Sequence, residues 1–246
     1  MYPKGIYCIS CEKIIDGSRV YSLCNECMEA MHWVTERHCG KCGKPLSEND
    51  PGELCFDCKA RADGGVPHAF DKGHACTGYG ACEQAVIFSL KYGSRSDIGE
   101  VLGEALYDRM EAEYGRDRLA GMYDLVMPVP IYREKKSMRG FNHAEVMAAS
   151  FCRRAGLKLD ADTLIRSRET LPMKGLGPEE RRRNIAGAFK LRERRAHVVE
   201  NARILIIDDI FTTGATLDEI ALVLRGAGAS RIDFLAFAGG KDMIPQ

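Results

Sequence analysis

The run Ile204-Leu205-Ile206-Ile207-Asp208-Asp209-Ile210-Phe211-Thr212-Thr213-Gly214-Ala215-Thr216 restricts this chain more than any other stretch. Its apolar residues predict a short buried strand over 204–208, with two carboxylates at the C-terminal end and a turn of small and hydroxyl residues after them. A helix follows, with Leu217, Ile220, Ala221 and Leu224 on one face. In an open parallel sheet, ligands bind in the crevice beyond the strand C-termini. The turn gathers backbone N–H groups, Thr hydroxyls and a helix N-terminus around one point, which makes an anion cradle. Adjacent acids at such an edge are costly without a partner. A ligand carrying phosphate, hydroxyls and a divalent metal suits both halves of the run.

The pattern resembles the phosphoribosyl-pyrophosphate (PRPP) signature of type I phosphoribosyltransferases. That resemblance implies that Asp208 and Asp209 engage ribose hydroxyls, and that Thr212, Thr213, Gly214, Ala215 and Thr216 bind the 5′-phosphate.

The rest of the chain is bounded by its size and charge. Its 246 residues allow one medium domain plus a small one, and 35 basic residues balance 35 acidic ones. No bulk electrostatic argument then favours nucleic acid or membrane. No apolar stretch reaches the length of a membrane span, and MYPKGIYCISC lacks an apolar signal-peptide core. A cytoplasmic location is expected, with no membrane insertion; the oligomeric state stays open.

Eight of the eleven cysteines fall in CxxC pairs: Cys8/Cys11, Cys24/Cys27, Cys39/Cys42 and Cys55/Cys58. Each pair presents two thiolates from one tight turn, and two pairs complete a tetrahedral zinc site. In a reducing compartment zinc is the better reading than disulfides. Two pairings are open: sequential, with Cys8, Cys11, Cys24 and Cys27 on one ion and Cys39, Cys42, Cys55 and Cys58 on the other, or interleaved. Either gives two structural Zn²⁺ sites, since four thiolates leave no position for water. Cys152 lies on an apolar helical stripe and reads as core. Cys76, Cys82, His68 and His74 lack compact ligand spacing. His38 reads as a surface side chain, or as a substitute ligand. Trp33 is expected to pack within the ribbons.

Residues 1–65 therefore form a double zinc-ribbon module and residues 66–246 an α/β domain. Helices are expected over 81–91, 97–111 and 142–155, and strands over 124–130, 204–208 and 231–238. Strands separated by amphipathic helices predict a parallel sheet flanked by helices. After the second strand, Arg133, Lys135, Lys136 and Arg139 bring positive charge to the acidic edge, as a departing pyrophosphate requires. Residues 166–190, rich in Gly, Pro and charge, suit a flexible hood over the site, from which Arg181 and Asn184 reach a ligand.

Met127–Pro130 (MPVP), Arg139–Asn142 (RGFN), Arg181/Asn184 with Gly187–Phe189, and Asp208–Thr216, behind the CxxC pairs, together resemble the ComF family over nearly the full chain. The resemblance implies a double zinc ribbon followed by a type I phosphoribosyltransferase-like domain, and a link to DNA uptake in competent bacteria. The family often has Gln after RGFN and again upstream of RxxN. His143 and Met173 stand at those places, and the difference bears on acceptor recognition rather than on PRPP.

The leading expectation is a pentosyltransferase binding PRPP with Mg²⁺ and transferring phosphoribosyl to an unknown, nitrogen acceptor. Asp208 and Asp209 hold the ribose, and Arg133, Arg139, Asn142, Arg181 and Asn184 serve the pyrophosphate and acceptor side. The alternatives are a DNA-uptake accessory that handles single-stranded DNA or meets a competence-machinery protein, and a PRPP-sensing regulator without turnover. Residues 121–200 hold 17 basic against 10 acidic residues, which favours a polynucleotide. Aromatics are not interleaved with those charges, which does not.

Overall fold

A computed structural model describes residues 6–35, 37–46, 50, 52–93, 95–133, 140–171 and 175–240. Its core is a four-stranded, all-parallel sheet in the order β1 (Lys72–Gly78), β6 (Arg231–Gly239), β5 (Arg203–Phe211), β2 (Leu125–Pro128). A bridge from Val126 to Leu159 adds a further parallel position outside β2.

Alternation along the central strands sorts their side chains to opposite faces, as a two-residue period requires. Val126, Leu205, Ile207, Leu235 and Phe237 enter one apolar cluster. Leu125, Met127, Ile204, Ile206, Phe234 and Ala236 enter the other. Residues 204–207 are fully buried, which explains why they read as a continuous apolar run rather than an alternating one.

The first face is covered by α3 (Ala81–Tyr92), α4 (Ser96–Tyr114) and α6 (His143–Ala155), with the short α5 (Arg116–Ala120) beside them. The stripes Ile98, Leu102, Ala105, Leu106, Met110 and Met147, Ala148, Phe151, Cys152 are buried as their helical spacing predicts. The opposite face is covered by α8 (Ala215–Gly226), which buries Leu217, Ile220, Ala221 and Leu224. Between α6 and β5 a small antiparallel ladder of β3 (Leu164–Arg166) and β4 (Phe189–Leu191) flanks α7 (Pro178–Ile185). These elements occupy the segment expected as a hood.

The connection leaving β2 passes over the α6 face and the one leaving β5 over the α8 face. The C-terminal ends of β2 and β5 thus border a topological switch point, the crevice where open sheets of this kind take ligands.

Two expectations shift. The signature strand runs three residues past 208, to Phe211, because Ile210 and Phe211 keep their register with Ala238 and Gly239 of β6. Strand β1 escaped the periodicity reading. Its sequence Lys-Gly-His-Ala-Cys-Thr-Gly has no apolar alternation, yet all but its first residue are buried.

The ribbons, which include α1 (Asn25–Ala30) and α2 (Phe56–Asp63), wrap that edge strand. The N–H of Val34 donates to Cys76 O at 2.8 Å, Gly78 to His32 O at 2.7 Å and Gly73 to Lys41 O at 2.8 Å. Trp33 bridges Thr77 of β1, lies 5.4 Å from the Tyr21 ring and donates its indole N–H to Met28 O. The first ribbon joins the α4/α6 core and the second joins the α8 core. No helix among the described residues is long and apolar enough to cross a membrane.

Candidate functional site

The eight paired cysteines converge as two sets, Cys8/Cys11/Cys24/Cys27 and Cys39/Cys42/Cys55/Cys58, with the sulfurs of each set within 4.8 Å of one another. The pairing is therefore sequential. A tetrahedral zinc thiolate site with Zn–S near 2.3 Å places sulfurs about 3.8 Å apart. Cys11–Cys24 and Cys42–Cys55 are both at 3.7 Å, so the residues fit the ion. Backbone N–H groups of Cys24 and Cys27 point at sulfur, the usual neighbours of a knuckle thiolate. The chain carries two structural four-cysteine zinc sites. Among the described residues Cys76, Cys82, His68 and His74 form no third set, and Cys152 is buried in the core.

At the switch point, Asp208 and Asp209 stand side by side near the C-terminal end of β5. Burial first, then the charge of Asp209, pushes the Asp208 carboxyl well above the usual carboxylate range. Burial opposes ionisation of Asp209 too, but the Lys91 ammonium, 2.5 Å from its Oδ2, and His143 outweigh it and hold that carboxyl low. One acid is thus held as an anion beside another that resists becoming one.

The chain then turns at Gly214, whose φ of +79° is left-handed and which caps α8. Thr212, Thr213, Gly214, Ala215 and Thr216 line a small pocket with Asp208 and Arg181. Arg181, from α7, donates from Nη1 to Thr212 Oγ1 at 3.1 Å and from Nε to Leu176 O at 2.9 Å, so a guanidinium covers the turn. This arrangement offers backbone donors, hydroxyls and a cation to an anion, with carboxylate acceptors alongside.

The remaining expected site residues divide. Asn142 is buried; its Oδ1 accepts from Ala144 N, capping α6, and its Nδ2 donates to Val129 O, fixing the loop after β2. Asn184 exchanges hydrogen bonds with the backbone of Leu171 at 2.9 and 3.0 Å, which ties α7 to the segment after β3. Arg133 is exposed beyond β2. Arg139, like Lys135, Lys136 and Met173, lies outside the described residues.

Lys91 and Arg166 carried no sequence signal of a role at the site, and His143, marked in the sequence only as a departure from the family pattern, joins them there. Lys91 ends α3 and meets Asp209 only through the fold. Arg166, at the end of β3, lies within electrostatic reach of Asp208 and over the Phe189 ring at 5.5 Å. His143, at the start of α6, is buried and faces Asp209.

Comparison with known proteins adds three findings. Residues 1–59 match the family described as "Double zinc ribbon domain". The DNA utilization protein YhgH of Escherichia coli K12 is 26% identical over 214 residues, covering 86% of this chain and 88% of that protein. Competence protein F of Haemophilus influenzae is 25% identical over 231 residues, covering 94% and 96%. Among solved structures, the glutamine PRPP amidotransferase of B. subtilis aligns with TM-score 0.40 and 20% identity over 61% of this chain, which spans only 30% of that enzyme. A hypoxanthine phosphoribosyltransferase from Staphylococcus aureus aligns with TM-score 0.32 and 18% identity, covering 62% of this chain and 69% of that one. Two sequentially paired four-cysteine sets, the MPVP, RGFN and DDIFTTGAT motifs in order, and relatives matched along most of its length support a ComF-family protein.

Proposed function

We propose that the β5 site binds PRPP with Mg²⁺ and transfers its phosphoribosyl group to a nitrogen acceptor, with release of pyrophosphate. The observation that carries this reading is the continuity of Asp208–Asp209 with the Arg181-covered turn 212–216 at the switch point. The 5′-phosphate sits against the turn and the helix N-terminus, and the ribose hydroxyls donate to the two carboxylates. Among the described residues no third Asp, Glu or His joins the pair as a metal-ligand set. Mg²⁺ would then be held through substrate oxygens, and when bound it neutralises charge on the pyrophosphate. The acceptor nitrogen forms a bond to C1 as the C1–O bond breaks; pyrophosphate leaves with the electron pair and the nitrogen loses its proton. Lys91 holds Asp209 ionised, ready to steady positive charge on the ribose ring. Arg133 is the residue assigned to the leaving group, and Arg139, outside the described residues, shares that role on the sequence reading alone.

Calorimetric titration of PRPP·Mg²⁺ into the zinc-loaded protein tests this. Binding should weaken by about 100-fold or more in an Asp208→Asn/Asp209→Asn variant whose zinc content is unchanged, since the charged acceptor of Asp209 and the neighbouring carboxyl of Asp208 are both lost. A folded wild type that binds no PRPP sinks the reading, and binding without pyrophosphate release leaves a sensor. Asp208→Asn alone should melt higher than the ligand-free wild type, by about 1 kcal/mol at neutral pH. The sign follows from the raised carboxyl: the wild-type residue is harmless while protonated, and its cost grows as pH rises from about 4 through that raised value. Equal melting at pH 4 and pH 8 would remove the argument.

A second reading has its own support. Relatives are named for DNA utilization and competence, and α3 presents Phe88 and Tyr92, 63% and 64% exposed with rings 4.8 Å apart, on either side of Lys91. Such a pair suits base stacking on a single strand. Salt-dependent binding of single-stranded DNA that is lost in Phe88→Ala/Tyr92→Ala would favour it. The two activities are compatible in one protein.

A further inference from the structure

The second ribbon and the phosphate turn meet through polar contacts centred on one carboxylate. Asp218 lies in the first turn of α8, and its N–H donates to Gly214 O at 2.8 Å. Its side chain accepts from three donors outside that helix. Arg61, three residues after the zinc ligand Cys58 on α2, donates Nη2 at 2.8 Å. The Ala69 N–H donates at 2.9 Å, and His68 Nδ1 lies 3.0 Å from both oxygens. With two acceptor oxygens on that side, Nδ1 is the donor.

His68 is held on every other side as well. Its ring lies beside the Cys58 sulfur, stacks on Phe70 at 4.6 Å and meets Phe211 edge-on at 6.0 Å. A Cβ added at Gly214 would stand 2.5 Å from its Cε1, so the imidazole forms the floor of the left-handed turn. Only 2% of its side chain reaches solvent. Among the described residues the first ribbon has no comparable link to the turn: Tyr21 donates to Asp108 on α4 at 2.7 Å and Ser10 to Cys82 O on α3 at 3.5 Å.

We infer that the zinc held by Cys39, Cys42, Cys55 and Cys58 fixes the phosphate-binding turn through His68, Arg61 and Asp218, with His68 a positioning residue for phosphoribosyl binding. The inference rests on the reading of turn 212–216 as a phosphate site. Partners just outside a metal's ligands orient those ligands and in turn take their own placement from them. Loss of the ion frees α2, and with it Arg61 and the Cys58 sulfur; Asp218 and His68 then lose two of their constraints. Coupling of this kind is reciprocal: if zinc tightens the phosphate site, occupancy of that site must hold the second zinc more tightly by the same factor.

The test follows chelator-driven zinc release from the full-length, two-zinc protein, with and without saturating ribose 5-phosphate. Cobalt substitution, which gives each thiolate site a visible spectrum, serves as a second readout. Ribose 5-phosphate should slow release of one zinc equivalent about 10-fold, leave the other unchanged, and shift one of the two cobalt spectra. His68→Ala should retain two zinc ions, weaken ribose 5-phosphate by about 10-fold and abolish the protection; His68→Asn, which keeps a donor for Asp218, should restore part of each. If His68→Ala does not fold, Arg61→Gln, with a partly exposed side chain, carries the same expectation. Normal binding of ribose 5-phosphate with both zinc ions released at unchanged rates overturns the coupling and leaves the phosphate site standing. Failure of the wild type to bind ribose 5-phosphate overturns both.

Discussion

The two zinc ribbons are a repeat whose halves have been put to different uses. Each ligand of the second stands 31 positions after its counterpart: Cys39 after Cys8, Cys42 after Cys11, Cys55 after Cys24, Cys58 after Cys27. The backbone repeats with them. Cys8 N donates to Lys13 O and Cys39 N to Lys44 O, both at 2.8 Å, and the bridges Tyr7–Ile14 and His38–Pro45 are equivalent. Surroundings do not repeat. In the first ribbon Cys11 is exposed and Cys24 only half-buried, whereas all four cysteines of the second are 4% exposed or less. Local chemistry therefore dictates the knuckle, and the sheet face it lands on dictates what the knuckle is worth.

Removing equivalent ligands should break the symmetry most visibly. Cys42→Ser should lose one zinc equivalent, the fold of the α8 face and phosphoribosyl binding together. Cys11→Ser should lose one equivalent while the sheet domain keeps its melting transition and its ligand. Zinc-coupled folding of a ribbon is worth about 10 kcal/mol, enough to unfold whatever depends on it. Zinc analysis with thermal melts decides the matter, and equal damage from both substitutions would show that neither ribbon is privileged.

That asymmetry also marks where the sequence stops being readable. Spacing exposes zinc ligands because a thiolate site needs nothing beyond its own turns, and the buried helices and central strands show in their periodicity. The ribbon's docking strand is different. β1 is buried because a ribbon covers it and α4 packs beneath it, so nothing in Lys72–Gly78 itself signals a strand. The site divides the same way. Asp208, Asp209 and residues 212–216 are contiguous and legible, and Arg181 was marked by its motif. Lys91, Arg166 and His68 reach the site from α3, the hood and the ribbon linker, and only the tertiary fold brings them there.

Backbone strain offers a finer probe at one pair of equivalent positions. Glu12 and Gly43 both adopt left-handed φ, +62° and +74°. At Gly43 a Cβ would stand 2.5 Å from His74 Cα and 2.6 Å from Gly73 O, atoms of the β1 backbone that cannot move aside. Gly43→Ala should cost about 3 kcal/mol or more, from that clash plus the left-handed penalty. Glu12 pays the penalty without any clash, being exposed, so Glu12→Gly should gain ~0.5 kcal/mol after the extra chain entropy of glycine is deducted. Chemical denaturation measures both, and a tolerated Gly43→Ala would mean that the second ribbon is not seated on β1 as closely as described.

The smallest contrast lies in the equivalent ion pairs. Lys13 meets Glu26 at 2.5 Å with both side chains well exposed, 60% and 76%. Lys44 meets Asp57 at 2.9 Å with side-chain exposures of 2% and 19%, and its ammonium stands 5.4 Å from the centre of the Phe211 ring on the signature strand. An exposed pair is screened by water and salt and holds two long side chains still for little return, so Lys13→Met should leave the denaturation midpoint unchanged. Lys44→Met should cost about 2 kcal/mol, because the largely buried Asp57 carboxylate loses its partner with little water to compensate. Adding Asp57→Asn should recover part of that loss, and the double-mutant cycle isolates the pair from the packing of the Lys44 stem. Raising salt should narrow any Lys13 effect and leave the Lys44 effect in place. If the two substitutions prove equivalent, burial of the second ribbon is not what separates it from the first, and its influence on the phosphate turn must run through His68 and Arg61 alone.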